Sequence, residues 1–270
     1  MHRVSTGIAA VIAVAAATAT AAYAQMDNPQ AGIEAYREAL QDGNPAELYE
    51  MSGEELWTTP AGPKKASLEQ CDLGLGAGVV KGAYAQLPRY FKDTDKVQDL
   101  ESRLLTCMET LQGKDPKAYI KAAFKDPPKE EMAALSAYIS GQSRDVAVAV
   151  KPTHPKEQAM YDLGERLFFY QGGPYDFSCA TCHGQEGVRI RMQDLPYIPS
   201  AAGASAGWTT WPAYRVSNGQ MWSMQHRLND CFRQQRFPEP VYASDATIAL
   251  SMYIAANSNG ASMKTPGIKR

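Results

Sequence analysis

The sequence predicts a mainly α protein in which two related helical domains follow a helical N-terminal extension. Three observations predict it. Arg103-Leu104-Leu105-Thr106-Cys107 and Arg227-Leu228-Asn229-Asp230-Cys231 share the pattern R-L-x-x-C. Further along, Ala134-Leu135-Ser136-Ala137-Tyr138-Ile139 is matched by Ala249-Leu250-Ser251-Met252-Tyr253-Ile254. The two pairs come in the same order at similar separations, which points to a duplicated unit. Third, segments between turn residues carry apolar side chains at helical spacing, as in Ile33, Tyr36 and Leu40, which suits a packed helical face.

Taken in order, residues 1–24 read as a signal peptide. His2 and Arg3 precede an Ala-rich apolar run from Gly7 to Ala21, and Ala22-Tyr23-Ala24 offers a cleavage site before Gln25. The run is too short and too rich in Ala and Thr to span a bilayer comfortably. Export to the periplasm, with cleavage before Gln25, is the expectation. The formal charge of -2 gives no reason to expect nucleic acid or an anionic membrane as partner.

Residues 25–66 form the extension. Asn28-Pro29 starts one helix and Gly43 stops it; Asn44-Pro45 starts a second, through about Trp57. The first domain covers 67–150, with a helix at 129–140 ending at Gly141. Asp145–Val150 alternates and ends at Lys151-Pro152, so it reads as an extended connector. The second domain covers 151–270. Between Met192 and Met224 the many Gly, Pro, Ser and Trp residues read as loops. A helix follows from Met224 and ends before Pro238. The last helix, at about 245–256, fades into Asn257-Ser258-Asn259-Gly260.

The second domain contains Cys179-Ala180-Thr181-Cys182-His183, the C-x-x-C-H attachment signature of a c-type haem. Two thiols one turn apart can each bond a vinyl group of one porphyrin, and His183 then faces the iron as proximal ligand. A zinc site would need a second ligand pair, and a redox dithiol would need a βαβ context; neither pattern is present. The fold class is therefore two cytochrome c-like helical domains. The first should lack haem, because the repeat places Leu68, Cys71 and Asp72 where the second has Cys179, Cys182 and His183. One covalently attached haem c is expected.

Five cysteines are present. With two used by haem, Cys71 and Cys107 are expected to pair as a disulfide within the first domain; the rival pairings join one of them to Cys231 across the domains. Cys231 stands among Arg227, Arg233 and Arg236. Cationic neighbours favour a thiolate, and paired N–H donors of arginine can hold a small oxyanion. The candidates for the sixth iron ligand are Met192, Met221, Met224, His226 and Cys231. His154 lies in a Pro-flanked segment ahead of the haem motif.

With these residues in hand, the chain resembles the SoxA cytochromes, subunits of the SoxAX complexes of bacterial thiosulfate oxidation. The residues that carry the resemblance are Ser67–Gly74, Leu87–Phe91, Asp99–Leu104, Cys179–Gly184 and Arg227–Arg236. The last run is far more distinctive than C-x-x-C-H. The resemblance implies an L-cysteine S-thiosulfotransferase. Such an enzyme joins thiosulfate oxidatively to a cysteine of a SoxYZ-like carrier, and electrons pass through haem to a SoxX-like monohaem cytochrome in a heterodimer. It implies that Cys231 is the distal iron ligand and the active sulfur, found as a persulfide, and that Arg227 lies at the substrate site. Leu68 and Asp72 depart from the two-haem members, so the single-haem type is expected. The alternative is a plain periplasmic electron-transfer cytochrome c with methionine ligation and a dispensable Cys231.

Overall fold

Asn44 opens the first fully described helix: its Oδ1 accepts the Ala46 N–H at 2.9 Å, beside a proline whose missing N–H costs nothing at a helix start. The computed structural model describes residues 31–32, 35–36, 39, 43–190 and 193–269. The leader with its cleavage site, Ile33, Leu40 and Met192 lie outside the described residues, and Tyr36 is exposed rather than packed. In chain order the elements are α1 (Ala46–Thr58), β1 (Arg89–Phe91), β2 (Lys96–Gln98), α2 (Leu100–Cys107), α3 (Pro116–Lys121), α4 (Pro127–Gly141), α5 (Pro155–Phe169), α6 (Cys179–His183), β3 (Arg189–Ile190), β4 (Gln193–Asp194), α7 (Ala201–Trp208), β5 (Ala213–Arg215), β6 (Gln220–Trp222), α8 (Met224–Gln234), α9 (Asp245–Asn257) and β7 (Gly267–Lys269). Among the described residues no helix is long and apolar enough to cross a membrane.

The duplication is visible in how helices cross. Helix α1 packs on α4 at Gly53, where a Cβ would lie 2.1 Å from the Ala134 carbonyl oxygen and 2.7 Å from Tyr138 Cβ. Helix α5 packs on α9 at Gly164, where a Cβ would lie 2.0 Å from the Ala249 oxygen and 2.9 Å from Tyr253 Cβ. Ala134 and Tyr138 are the repeat partners of Ala249 and Tyr253, so both crossings use the same positions. It follows that α1 is the first helix of the first repeat. The sequence alone places it in the extension, with the repeat beginning at 67.

The repeats continue in parallel. Each crossing helix runs into a short closed turn, bridged Ala61 to Ala66 in one and Gly172 to Phe177 in the other. Gly62 and Gly173 both adopt φ 69°, a conformation that favours glycine. Each repeat then has an antiparallel hairpin, β1–β2 with Tyr90 opposite Val97 and β5–β6 with Tyr214 opposite Met221. Strand β7 adds to β5 in parallel. A helix follows each hairpin directly. Asp99 caps α2 by accepting the Ser102 N–H at 2.9 Å, and Ser223 caps α8 by accepting the His226 N–H at 3.2 Å.

In the first repeat Cys71 and Cys107 are joined in a disulfide, both buried. Closing a loop of this 36-residue separation stabilises by about 4 kcal/mol in the chain-entropy model.

Two stretches differ from the sequence reading. Residues 146–150 are extended but are no free connector. The Val148 N–H donates to Ala261 O at 2.9 Å, Met263 N–H to Val146 O at 2.9 Å, and Ala149 N–H to Ala85 O at 2.8 Å. Val148 and Val150 are buried. Backbone pairing from both sides thus ties the repeats into one compact unit, which covers Gly43–Val188 and Leu195–Arg270. The stretch read as loops contains helix α7, capped by Ser200, whose Oγ accepts the Gly203 N–H at 3.0 Å. Its glycines serve close approach, since a Cβ on Gly203 would lie 1.9 Å from the Tyr197 oxygen. Described by itself, β3–β4 is a small hairpin closed by an Arg189–Asp194 ion pair at 3.0 Å.

One hydrophobic core runs through both repeats, and Tyr84 stacks on Trp208 across the seam at 5.8 Å.

Candidate functional site

Ser178 sets the haem motif on a helical turn. Its Oγ accepts the Thr181 N–H at 3.1 Å, and Thr181 Oγ1 accepts the Ser178 N–H at 2.9 Å, a reciprocal cap. The turn that follows, α6, carries Cys179 and Cys182 one turn apart and ends on His183. His183 Nδ1 lies 3.0 Å from the Pro196 carbonyl oxygen. In the tautomer with Nδ1 protonated it donates to that carbonyl, which leaves the Nε2 lone pair for a metal. The backbone is pinned as well, because Ile198 N–H donates to His183 O at 3.0 Å. Burial lowers the His183 pKa, the Pro196 carbonyl opposes this, and the Arg227 charge lowers it further. The imidazole is therefore neutral near pH 7, the form that ligates a metal.

Helix α8 brings Cys231 to the same place. The Cys179 thiol is pushed up to about 12 by burial and then by the charge of Cys231, against a hydrogen bond from the Gln235 side chain. Cys182 is raised by burial and again by Cys231, with Arg227 pulling the other way. Cys231 thus acts on both motif thiols, and Arg227 acts on Cys182 and His183.

The arginines are organised by Asp230. Its Oδ2 accepts from Arg227 Nη1 at 3.2 Å and from Gln234 Nε2 at 2.7 Å. Its Oδ1 accepts from Arg233 Nη2 at 2.6 Å and from Arg233 Nε at 3.2 Å. Although burial raises it, those donors hold the Asp230 carboxyl below the usual range. Arg227 lies 5.9 Å from the Trp211 ring centre, and its Nε and Nη2 make no hydrogen bond to the described residues. Arg233 is more exposed than Arg227. Arg236 is exposed and follows the helix in the left-handed region at φ 61°.

The donor set fits a c-type haem: two thiols a turn apart, an imidazole with its second nitrogen fixed, and a third sulfur beside them. The other ligand candidates are placed elsewhere. Met221 packs with Ala46, Ala133 and Ala137, and Met224 lies in the main core. His226 is stacked between Phe124 at 4.0 Å and Trp222 at 3.9 Å, and burial brings its pKa down to about 4. It is a packed residue, not a surface one. His154 caps α5, with Nδ1 accepting the Lys156 N–H at 3.2 Å.

Sequence reasoning missed Asp230, Gln235, Trp211 and the Pro196 carbonyl. For Asp230 a signal existed: it stands three residues from both Arg227 and Arg233 on one helix, within ion-pair reach of each. The other three depend on long-range packing.

Comparison with known proteins points the same way. The family model described as SoxA/TsdA, cytochrome c domain, matches residues 52–148 and 163–263, one segment in each repeat. The L-cysteine S-thiosulfotransferase subunit SoxA of Hydrogenophilus thermoluteolus is 56% identical over 273 residues, covering 100% of both chains. A subunit of the same name from Hydrogenobacter thermophilus is 36% identical over 92% of each chain. A crystal structure of SoxXA from P. pantotrophus contains a chain that matches with a TM-score of 0.70 at 25% identity, covering 87% of this chain and 83% of that one.

Proposed function

The chain belongs to the SoxA family of L-cysteine S-thiosulfotransferase subunits, and from that premise we propose that Cys231 is its reacting sulfur and Arg227 its thiosulfate-binding residue, with Cys179, Cys182 and His183 holding a single c-type haem. The activity itself is that of the Sox thiosulfate-oxidation system. Thiosulfate joins a carrier cysteine to give the S-thiosulfonate. One S–S bond forms, one S–H bond breaks, and a proton and two electrons leave.

Arg227 binds the sulfonate end of thiosulfate through the donors that Asp230 does not use. Asp230 holds this guanidinium within reach of Cys182 and also pairs with Arg233. The Cys231 sulfur then takes part covalently in passing the sulfane sulfur to the carrier. His183, kept neutral and fixed by Pro196, and the Cys231 sulfur are the residues that would hold the iron of such a haem. A c-type haem so held would supply a one-electron acceptor beside the sulfur. The partners that fit this reading are a SoxX-like monohaem cytochrome, in line with the SoxXA structure, and a SoxYZ-like carrier. Family and leader together support a periplasmic protein cleaved before Gln25.

The observation that carries the reading is the placement of Cys231 and Arg227, both on α8, close enough to the haem motif for Cys231 to raise Cys179 and Cys182 and for Arg227 to lower Cys182 and His183. It is tested by thiosulfate-dependent reduction of a cytochrome c acceptor with the partner cytochrome and carrier present. Cys231→Ala should retain attached haem and lose turnover by about a thousandfold or more. Equal turnover in both would remove Cys231 from the mechanism and favour a plain electron carrier.

A further inference from the structure

Helix α8 does not begin on its own repeat alone. Its first turn is held by carboxylates that come from the first repeat. Glu101 Oε2 accepts the backbone N–H of Gln225 at 3.2 Å, and Glu101 Oε1 accepts the Tyr242 hydroxyl at 2.6 Å. Asp99 Oδ2 accepts from Gln225 Nε2 at 2.5 Å, while Gln225 Oε1 accepts the Ala243 N–H at 3.2 Å. All four side chains of this clamp, Asp99, Glu101, Gln225 and Tyr242, are buried. The N-terminal turn of a helix presents free N–H groups and a partial positive charge, so a carboxylate there both fixes the helix and offsets its dipole. Cys231 lies six residues further on, about 9 Å along the axis, and Arg227 lies two residues on.

We propose that Glu101 is a positioning residue for the sulfur site of the second repeat: its carboxylate caps α8 from across the seam and sets the charge at the head of the helix that carries Arg227 and Cys231. The proposal rests on the roles given to those two residues above.

The surroundings let that charge vary. Burial, and then repulsion from Asp99, bring the Glu101 carboxyl up to about 7, against donors from Tyr242, Ser223 and Gln225. Lys129 from α4 is the facing cation. Its Nζ is buried without a hydrogen-bond partner among the described residues, lies over the Tyr242 ring at 2.9 Å from its centre, and is brought down to about 8 by burial. Glu101 and Lys129 border a cavity of about 10 Å³, room for one water molecule, with Tyr49, Glu130 and His226 on its other walls. Burial raises Tyr84 and Tyr242, and the two carboxylates raise them further, so both stay neutral. Burial keeps His226 neutral down to about 4. Near neutral pH the groups free to change charge here are therefore Glu101 and Lys129. Below about 7 Glu101 is protonated and its share of the counter-charge at the head of α8 is lost; above it that carboxylate is restored.

The test uses the full chain with haem attached, in wild type, Glu101→Gln and Lys129→Gln. Two quantities are followed from pH 5.5 to 8.5: thiosulfate-dependent reduction of a cytochrome c acceptor, with partner cytochrome and carrier present, and the haem midpoint potential by optical redox titration. The wild type should show a severalfold change in rate and a step in potential, both centred near pH 7. Glu101→Gln should be flat in both while keeping its haem. A purely structural role would lower thermal stability and leave the pH profiles alone. A wild type flat from 6 to 8, or a step kept in Glu101→Gln, overturns the proposal; so does a step lost only in Lys129→Gln. If the wild type turns over no thiosulfate at any pH but its potential step vanishes in Glu101→Gln, the sulfur-transfer reading fails and the control of α8 by Glu101 stands. Should Glu101→Gln not fold, Tyr242→Phe removes one donor to the carboxylate and should move the step to higher pH; an unmoved step counts against the proposal.

Discussion

In the first repeat, Arg103 donates through Nε to the Asp72 carbonyl at 2.6 Å, pairs with Asp93 at 2.8 Å and covers the Phe91 ring, while Cys107 is bonded to Cys71. In the second, Arg227 and Cys231 occupy the same places in R-L-x-x-C. There Arg227 is shared with Asp230 and acts on Cys182 and His183, and Cys231 acts on both motif thiols. Asp72 stands where the repeat has His183, and Cys71 where it has Cys182. The same helix, hairpin and turn therefore serve two ends. One repeat consumes its arginine and its two cysteines in cohesion. The other leaves its arginine donors and its third thiol available for chemistry. The difference lies in a few side chains at Leu68, Asp72 and Asp93, not in the backbone.

The comparison can be broken or sharpened by substitution, and the largest effect on stability is expected at the disulfide. Cys71→Ala with Cys107→Ala should cost about 4 kcal/mol, seen as a lower thermal midpoint, with haem attachment at Cys179 and Cys182 intact. Loss of haem from this variant would show that the repeats are not separable in this sense. Next come the paired glycines. A Gly→Ala change inside a helix ordinarily stabilises, but at Gly53 and Gly164 the new Cβ meets a carbonyl oxygen. Each should cost about 1–3 kcal/mol by overpacking, by denaturant titration, and similarly in the two repeats.

Asp230→Asn should free Arg227 and raise the KM for thiosulfate by about tenfold, with kcat less affected; Asp93→Asn, its nearest functional counterpart in the first repeat, should leave KM unchanged. For His226, the pKa of about 4 in the folded chain lies below the ordinary 6.5. The unfolded chain binds a proton between those values that the folded chain does not, so stability falls as pH drops from 6.5 to 4. His226→Phe should flatten that slope in thermal midpoints measured across the window. The smallest effect is expected at Arg144–Glu50, a partly exposed pair at 2.7 Å: Arg144→Ala should cost less than about 1 kcal/mol.

How much of this was legible in the sequence depends on whether the signal was local. C-x-x-C-H, the second R-L-x-x-C run and the two Ala-Leu-Ser-x-Tyr-Ile runs are local, and they locate α6, the helix that bears Cys231 and the helices α4 and α9. The sequence starts the first domain at 67 and not at α1 because the partner of α1 is α4, and no nearby residue announces that contact. Gly203 and Gly207 read as loop residues, yet they allow close packing of α7. The 145–150 stretch read as a connector because its alternation is that of a strand, whereas its hydrogen-bond partners, Ala85 and Ala261, lie far along the chain. Lys129 carries no motif, and Glu101 falls in the Asp99–Leu104 run without any local sign of what it contacts. Their role comes from the seam between repeats, which exists only in the fold.

The most direct test of the contrast between the repeats is peptide mapping of the mature, unreduced protein by mass spectrometry. The account predicts one haem, on the peptide bearing Cys179 and Cys182, a disulfide-linked pair of peptides containing Cys71 and Cys107, and Cys231 in neither linkage. A haem on Cys71, or a disulfide that includes Cys231, would contradict it.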